Sequence, residues 1–179
     1  MKIVLIGIQG SGKSTQGNKL SEKLNIPYLS TGHIFREIAK EHTPVGRYIK
    51  ETMNAGYLIP DEETLRIVSD YLARDEYKSG YILDGFPRTR TQAEAFVNGI
   101  DKVFYINVPD EAAISRLSVR NDGREDQAPP ALQKRIELFH KFTEPVIEYY
   151  KAKGILHELD GEKSIEDIHD EILKILNLQ

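Results

Sequence analysis

Apolar residues cluster in five short runs along the chain, and these runs predict β-strands. The first run, KIVLI at 2–6, is apolar and rich in β-branched residues without alternation, which is typical of a parallel strand buried on both faces. Four later runs have a similar length and are bounded by turn signals or polar residues. The predicted strands are 2–6, 27–30, 81–84, 103–108 and 155–159.

Between these runs, apolar residues recur every three or four positions, which indicates amphipathic helices. Asp61 is expected to cap one of them, and Pro145 is expected to bend a long one because proline cannot donate a backbone hydrogen bond. Strands that alternate with helices predict a parallel sheet with helices on both faces. The predicted helices are 12–24, 32–40, 45–56, 61–73, 89–97, one starting at 110, 131–153, and one starting after Ser164.

Composition limits the class of protein. A chain of 179 residues is expected to form one domain, and the absence of cysteine excludes disulfides, a thiolate nucleophile and a cysteine zinc site. The net charge of −4 argues against nucleic-acid or membrane partners. No apolar run reaches the roughly 20 residues of a membrane helix, and the N-terminus is a poor signal peptide. We therefore expect a cytoplasmic protein.

The segment GIQGSGKS at 7–14 fits the phosphate-binding pattern G-x-x-x-x-G-K-[ST] and lies between a predicted strand and a predicted helix. Its backbone N–H groups would surround a phosphate, Lys13 would reach the terminal phosphates, and the Ser14 hydroxyl would face Mg²⁺. The alternative is a flexible turn that matches by chance. The motif predicts a bound nucleoside triphosphate, but it does not say what receives the phosphate.

Further motifs resemble the acceptor site of adenylate kinases. They are YLSTG at 28–32 followed by Arg36, GYLIPD at 56–61, and DGFPRT at 84–89 followed by Gln92. Four arginines (116, 120, 124 and 135) fall where that family places phosphate-clamping arginines, and Asp160-Gly161 with Lys163 resembles its adenine-bracketing loop. The resemblance implies an α/β fold of the P-loop NTPase type: three α/β/α layers around a five-stranded parallel sheet.

The resemblance also implies a role for each of these residues. ATP would bind Gly10, Ser11, Gly12, Lys13, Ser14, Thr15, Arg116, Arg120 and Lys163. AMP would bind Thr31, Gly32, Arg36, Ile59, Gly85, Arg88, Gln92, Arg124 and Arg135. The catalytic set would be Lys13, Asp84, Arg88, Arg120, Arg124 and Arg135, with Ser14 and Asp84 holding Mg²⁺ mainly through water.

The charges of the chain support this interpretation independently. Transfer between two phosphorylated molecules needs cations around donor and acceptor, and arginine grips phosphate oxygens in pairs. Arg116 and Arg120 are four residues apart and thus share a helix face, with Arg124 just beyond. Any one of these arginines could instead form a weak surface ion pair with Glu125 or Asp126.

Asp84 and Gln92 each allow more than one interpretation. Asp84 could hold magnesium through water, act as general base for a hydroxyl acceptor, or cap a turn. A phosphate acceptor is already deprotonated near pH 7, which favours the magnesium role. Gln92 could read adenine through its amide, or it could complete a capping box with Thr89.

The chain departs from the family pattern at several positions. His33 replaces a usual aspartate, Ile8-Gln9 replaces a small residue and proline, and Ser14 replaces a common glycine. The polar segment 121–130 is short where many bacterial relatives carry a long, sometimes zinc-bearing lid. We expect one kinase domain, with core segments 1–30, 61–120 and 131–179, an AMP-binding insert at 31–60 and a short lid at 121–130.

The predicted function is therefore Mg²⁺-dependent phosphoryl transfer from ATP to AMP by a monomeric enzyme without zinc. The insert and the lid would close over the nucleotides and carry Arg120 and Arg124 inward. Two alternatives are left open at this point. One is a UMP/CMP kinase, and the other is a P-loop module that binds nucleotide without turnover.

Overall fold

A computed structural model of the protein describes residues 1–119 and 128–178. Five strands form one sheet, and every strand pair in it is parallel. The spatial order is β2-β3-β1-β4-β5, so β1 lies at the centre. The strands are β1 Lys2–Ile6, β2 Tyr28–Ser30, β3 Tyr81–Asp84, β4 Lys102–Asn107 and β5 Leu156–Asp160. The predicted five-stranded parallel sheet is confirmed, and no strand end differs from its predicted position by more than one residue.

Helices connect the strands and cover both faces of the sheet. Successive side chains of β1 divide between the two sides, with Val4 and Ile6 in one apolar core and Ile3 and Leu5 in the other. This division explains the unbroken apolar run, because both faces of a doubly covered strand are buried. The helices are α1 Lys13–Leu24, α2 Thr31–Ala39, α3 Pro44–Asn54, α4 Asp61–Leu72, α5 Arg90–Ala95, α6 Asp110–Val119, α7 Pro129–Leu138, α8 Glu144–Ala152 and α9 Ile165–Ile175.

The helix predicted at 131–153 is interrupted earlier than expected. α7 ends at Leu138, a π-helical turn spans Phe139–Thr143, and α8 begins at Glu144 with Pro145 in its first turn. Proline has no backbone N–H, so regular hydrogen bonding cannot pass through it, and the wider turn just before it absorbs the mismatch. The irregularity therefore precedes Pro145 rather than centring on it.

The predicted cap of α4 is wrong, whereas its acidic first turn is confirmed. Pro60 occupies the N-cap position and Asp61 is the first helical residue, followed by Glu62 and Glu63. These carboxylates complement the positive end of the helix. The Asp61 side chain is engaged elsewhere, by groups from the segment that follows β3.

Candidate active site

A cavity of about 1000 Å³ lies at the carboxyl ends of the parallel strands, where ligands of open α/β sheets bind. It brings together residues that the sequence distributes from position 10 to position 163. Of the predicted site residues, its walls include Gly10, Ser11, Gly12, Lys13, Ser14, Thr15, Gly32, Arg36, Ile59, Asp84, Gly85, Arg88, Gln92, Arg116, Arg135 and Lys163. Arg120 and Arg124 lie outside the described residues, as does most of the predicted lid, so their placement stays a prediction.

The loop between β1 and α1 forms one wall of the cavity. Gly10 and Gly12 have φ values of 91° and 98°, a left-handed conformation that favours glycine. α1 starts at Lys13, and no side chain caps its first turn. The backbone N–H groups at this helix end can therefore donate hydrogen bonds to a bound anion. The local structure is the one that the glycine-rich motif predicts.

The Lys13 ammonium is folded back onto this loop. Its Nζ donates to the carbonyl oxygens of Gly7 and Ile8 at 2.7 and 2.9 Å and to the Ser11 hydroxyl at 3.4 Å. Burial lowers the pKa of Lys13, the Asp84 carboxylate opposes that shift, and Arg88 adds to it. A phosphate entering the loop would replace the carbonyl oxygens as the partner of this buried cation.

Asp84 lies at the end of β3 and is only 8% exposed. Its Oδ2 accepts a hydrogen bond from the Tyr28 hydroxyl at 2.7 Å. Its Oδ1 is buried and has no hydrogen-bond partner among the described residues. A buried carboxylate oxygen without a partner, on a cavity wall that also holds Ser14, fits a hydrated magnesium ion. Tyr28 lies in one of the motifs recognised in the sequence, but no sequence feature predicts that it orients this carboxylate.

Two guanidinium groups, those of Arg36 and Arg88, also line the cavity, and glycines leave room for them. Arg88 donates through Nε to the Gly85 carbonyl oxygen at 2.8 Å. Gly85 has φ 81°, and a Cβ there would lie 2.6 Å from the Thr31 hydroxyl and 3.2 Å from Arg88 Nη2. A Cβ on Gly32 would similarly approach Arg36 Nη1 to 3.3 Å. The two glycines that the sequence marked thus make space for the two arginines.

The backbone of Gln92 takes part in the predicted helix cap, whereas its side chain has other partners. The Thr89 hydroxyl accepts from the Gln92 backbone N–H at 3.1 Å, which is the cap. The Gln92 side chain does not complete a capping box, because its Oε1 accepts from the Arg88 N–H at 2.7 Å and its Nε2 donates to Asp61 at 2.8 Å. An amide can make four hydrogen bonds, so one donor and one acceptor remain for a base. Adenine recognition by Gln92 stays a prediction.

Thr31 and Ile59 occupy less accessible positions than the arginines. Thr31 is 1% exposed, and its hydroxyl donates to the Asp84 carbonyl oxygen at 3.2 Å, behind the described cavity wall. Ile59 is buried but does line the cavity. Thr31 therefore fixes the end of β3 against the start of α2, and its predicted contact with a base is untested.

Arg116 and Lys163 lie on the side of the cavity next to α1. Arg116 donates through Nη2 to the Gly161 carbonyl oxygen at 2.8 Å, which joins α6 to the loop after β5. Lys163 donates to Glu171 of α9 at 2.9 Å. This arrangement brings together the two segments that the sequence predicts to bracket a donor adenine.

Arg135 of α7 reaches two different parts of the cavity wall. Its Nη1 donates to the Gln9 side-chain oxygen at 2.9 Å, and its Nη2 donates to the Met53 carbonyl oxygen at 2.9 Å. Gln9 was recognised in the sequence only as a departure from the family pattern. No pattern in the sequence could have paired it with a residue 126 positions away.

Neither a cluster of metal ligands nor a membrane-spanning helix is found among the described residues. Within 1–119 and 128–178, no group of three or more His, Asp or Glu residues could hold a metal ion. Among the helices described, none is both long and apolar enough to cross a bilayer.

Comparisons with known proteins agree with this geometry. A family model described as adenylate kinase matches residues 5–155. The chain is 39% identical to an adenylate kinase of Caldicellulosiruptor bescii over 215 positions, covering 100% of both chains, and 39% identical to one of Lachnoclostridium phytofermentans, covering 98% of each. A Staphylococcus aureus adenylate kinase is 36% identical over 99% of both chains. The first alignment is longer than the 179 residues of this chain, so that relative carries residues that this chain lacks. The chain belongs to the adenylate kinase family.

Proposed function

We propose that this chain catalyses the reversible transfer of a phosphoryl group from ATP to AMP, giving two ADP. The observation that carries the proposal is that the phosphate loop, Arg36, Arg88 and Gln92 all line one cavity. Two nucleotides would lie end to end in it, with the triphosphate at the loop and the monophosphate beside the two arginines. Family membership supports the same reaction.

Catalysis would rest on position and charge. Phosphoryl transfer needs little covalent chemistry from the protein, because charge builds on the oxygens of the transferred group and must be neutralised there. Lys13 lines the cavity at the phosphate loop, and Arg135 lines it from α7. The acceptor oxygen is already deprotonated near pH 7, so Asp84 is not needed as a base.

Adenylate kinases use ATP together with Mg²⁺, and the donor set of this chain fits that ion. Ser14 and the unpartnered Oδ1 of Asp84 would hold it, the latter through water. When bound, the ion neutralises phosphate charge and orients the oxygens for in-line transfer. The Tyr28 hydroxyl fixes the other oxygen of Asp84, so the carboxylate keeps one orientation.

Closure over the nucleotides and the monomeric, cytoplasmic state are further parts of the proposal, and they are predicted from the sequence. The insert 31–60 closes over AMP, and the segment 121–130 carries Arg120 and Arg124 to the phosphates, which excludes water from the reaction. The enzyme is monomeric and cytoplasmic. Structures with and without a linked dinucleoside polyphosphate test the closure, and an insert that does not move would refute it.

The activity itself is tested by measuring ADP formation from Mg·ATP with AMP, CMP or UMP as acceptor. We expect AMP to have by far the highest kcat/KM. Lys13→Met should lower kcat by roughly 100- to 1000-fold, by analogy with loss of one charge-stabilising donor. Lys19→Met is a matched control on the same helix, because Lys19 forms a 3.7 Å surface pair with Glu166 and is not among the residues that line the cavity. Equal use of CMP or UMP, or no turnover with any acceptor, would contradict the proposal.

A further inference from the structure

Gln9 is a cavity-lining residue of the phosphate loop whose side chain is hydrogen-bonded to α7. Its Oε1 lies 2.9 Å from Nη1 of Arg135, and the same guanidinium lies 2.9 Å from the Met53 carbonyl oxygen through Nη2. One arginine side chain therefore connects three parts of the cavity wall. They are the donor loop, α7, and the end of α3 in the insert 31–60.

The chemistry of the two groups fixes how the Gln9 amide is oriented. A guanidinium can only donate hydrogen bonds, so Gln9 must present its oxygen to Arg135, and its NH₂ group points away. The bond has a charged donor and is therefore stronger than one between neutral groups. Proline or a small aliphatic residue at position 9 would offer no side-chain acceptor.

The insert lies close to α7 at the same place. A Cβ on Gly56 would lie 2.4 Å from the carbonyl oxygen of Ala131, so the backbones of the two segments are in direct contact. Lys134 Nζ lies 5.3 Å from the centre of the Tyr57 ring. The contact of Arg135 with Met53 belongs to this junction, and the contact with Gln9 extends the junction to the phosphate loop.

We propose that Gln9 is a positioning residue, which holds the Arg135 guanidinium between the donor loop and the acceptor insert before nucleotides bind. The inference rests on the proposed function, in which Arg135 neutralises charge on the transferred phosphoryl group. A free arginine side chain loses several rotatable bonds when it engages a phosphate. Holding it in place beforehand reduces that entropic cost and keeps the cation within reach of both substrates.

The test compares Gln9→Met with wild type, because methionine keeps the length of glutamine and removes the acceptor. Gln133→Met is the matched control, since Gln133 is exposed on α7 two residues from Arg135 and does not line the cavity. We expect Gln9→Met to lower kcat/KM for AMP about tenfold, the effect of losing one hydrogen bond to a charged group, while KM for ATP changes less than about twofold. The control should match wild type.

A double-mutant cycle shows whether Gln9 acts through Arg135. In an Arg135→Met background, Gln9→Met should cause no further loss, because its partner is already absent. An undiminished tenfold loss in that background, or a loss carried by KM for ATP, would overturn the inference. Wild-type turnover tests the proposed function separately, and its absence would overturn both. If Gln9→Met lowers the melting temperature, Gln9→Ala is measured with the same expectations.

Discussion

Replacing Tyr28 with phenylalanine removes one hydroxyl and leaves the aromatic ring in place. In the structure that hydroxyl donates to Asp84 Oδ2 at 2.7 Å, while Oδ1 has no partner in the described ranges. Asp84 is 8% exposed, so water cannot easily take over the lost contact. The variant therefore leaves a buried carboxylate without a hydrogen bond from any described side chain.

The expected loss of stability follows from the type of bond. A hydrogen bond to a charged group contributes about 1.5–3 kcal/mol, and an unsatisfied buried acceptor costs a similar amount. Burial is the main cause that raises the pKa of Tyr28, and the Asp84 carboxylate is the second. The hydroxyl therefore remains a hydrogen-bond donor throughout the working pH range. We expect the free energy of unfolding to fall by about 2 kcal/mol and the melting temperature by about 4–8 °C.

Equilibrium unfolding in urea at pH 7, monitored by circular dichroism, measures this loss. Tyr48→Phe is the matched control, because Tyr48 is 47% exposed and should contribute less than about 0.5 kcal/mol. In an Asp84→Asn background the acceptor is neutral, so the loss from Tyr28→Phe should fall to about 1 kcal/mol. A loss below about 0.5 kcal/mol, or the same loss in both backgrounds, would refute the reasoning.

Two further predictions concern the junction at α7 and the π-helical turn before α8. Gly56→Ala puts a methyl group 2.4 Å from the Ala131 carbonyl oxygen, at a residue with φ 79°. We therefore expect the free energy of unfolding to fall by about 2 kcal/mol or more and the KM for AMP to rise. An unchanged KM would contradict the proposed role of this junction. Hydrogen bonds to Glu144, the larger effect, and to Asp110 raise the pKa of His140. The ion pairs of the protonated imidazole therefore stabilise the fold fully below the ordinary histidine pKa, and this stabilisation is lost as the pH rises through the raised pKa. His140→Ala should therefore cost a few tenths of a kcal/mol at pH 6 and almost nothing at pH 9 in urea unfolding, and a larger cost at pH 9 would show that the ion pairs are not responsible.

The sequence was sufficient for the features that local physical chemistry specifies. Five apolar runs predicted the five parallel strands, and the unbroken run at 2–6 predicted a central strand that is buried on both faces and therefore does not alternate. The glycine-rich motif predicted a phosphate loop, because only glycine readily takes the left-handed conformations seen at Gly10 and Gly12. Most of the residues expected around the nucleotides line one cavity, because the carboxyl ends of parallel strands meet at one edge of the sheet.

Only the tertiary structure decided which side chains are partners in and around that cavity. The sequence predicted Asp61 to be a helix cap, yet its carboxylate accepts hydrogen bonds from Thr89 and Gln92, which are 28 and 31 positions away. Likewise, the sequence identified Gln9 only as an unusual loop residue, and no neighbouring residue predicts its hydrogen bond with Arg135. Spacing along a helix or strand constrains only near neighbours, whereas these pairs depend on how separate elements pack around the sheet. The sequence thus determined the elements and the kind of site, and the packing of the elements determined its hydrogen-bond network.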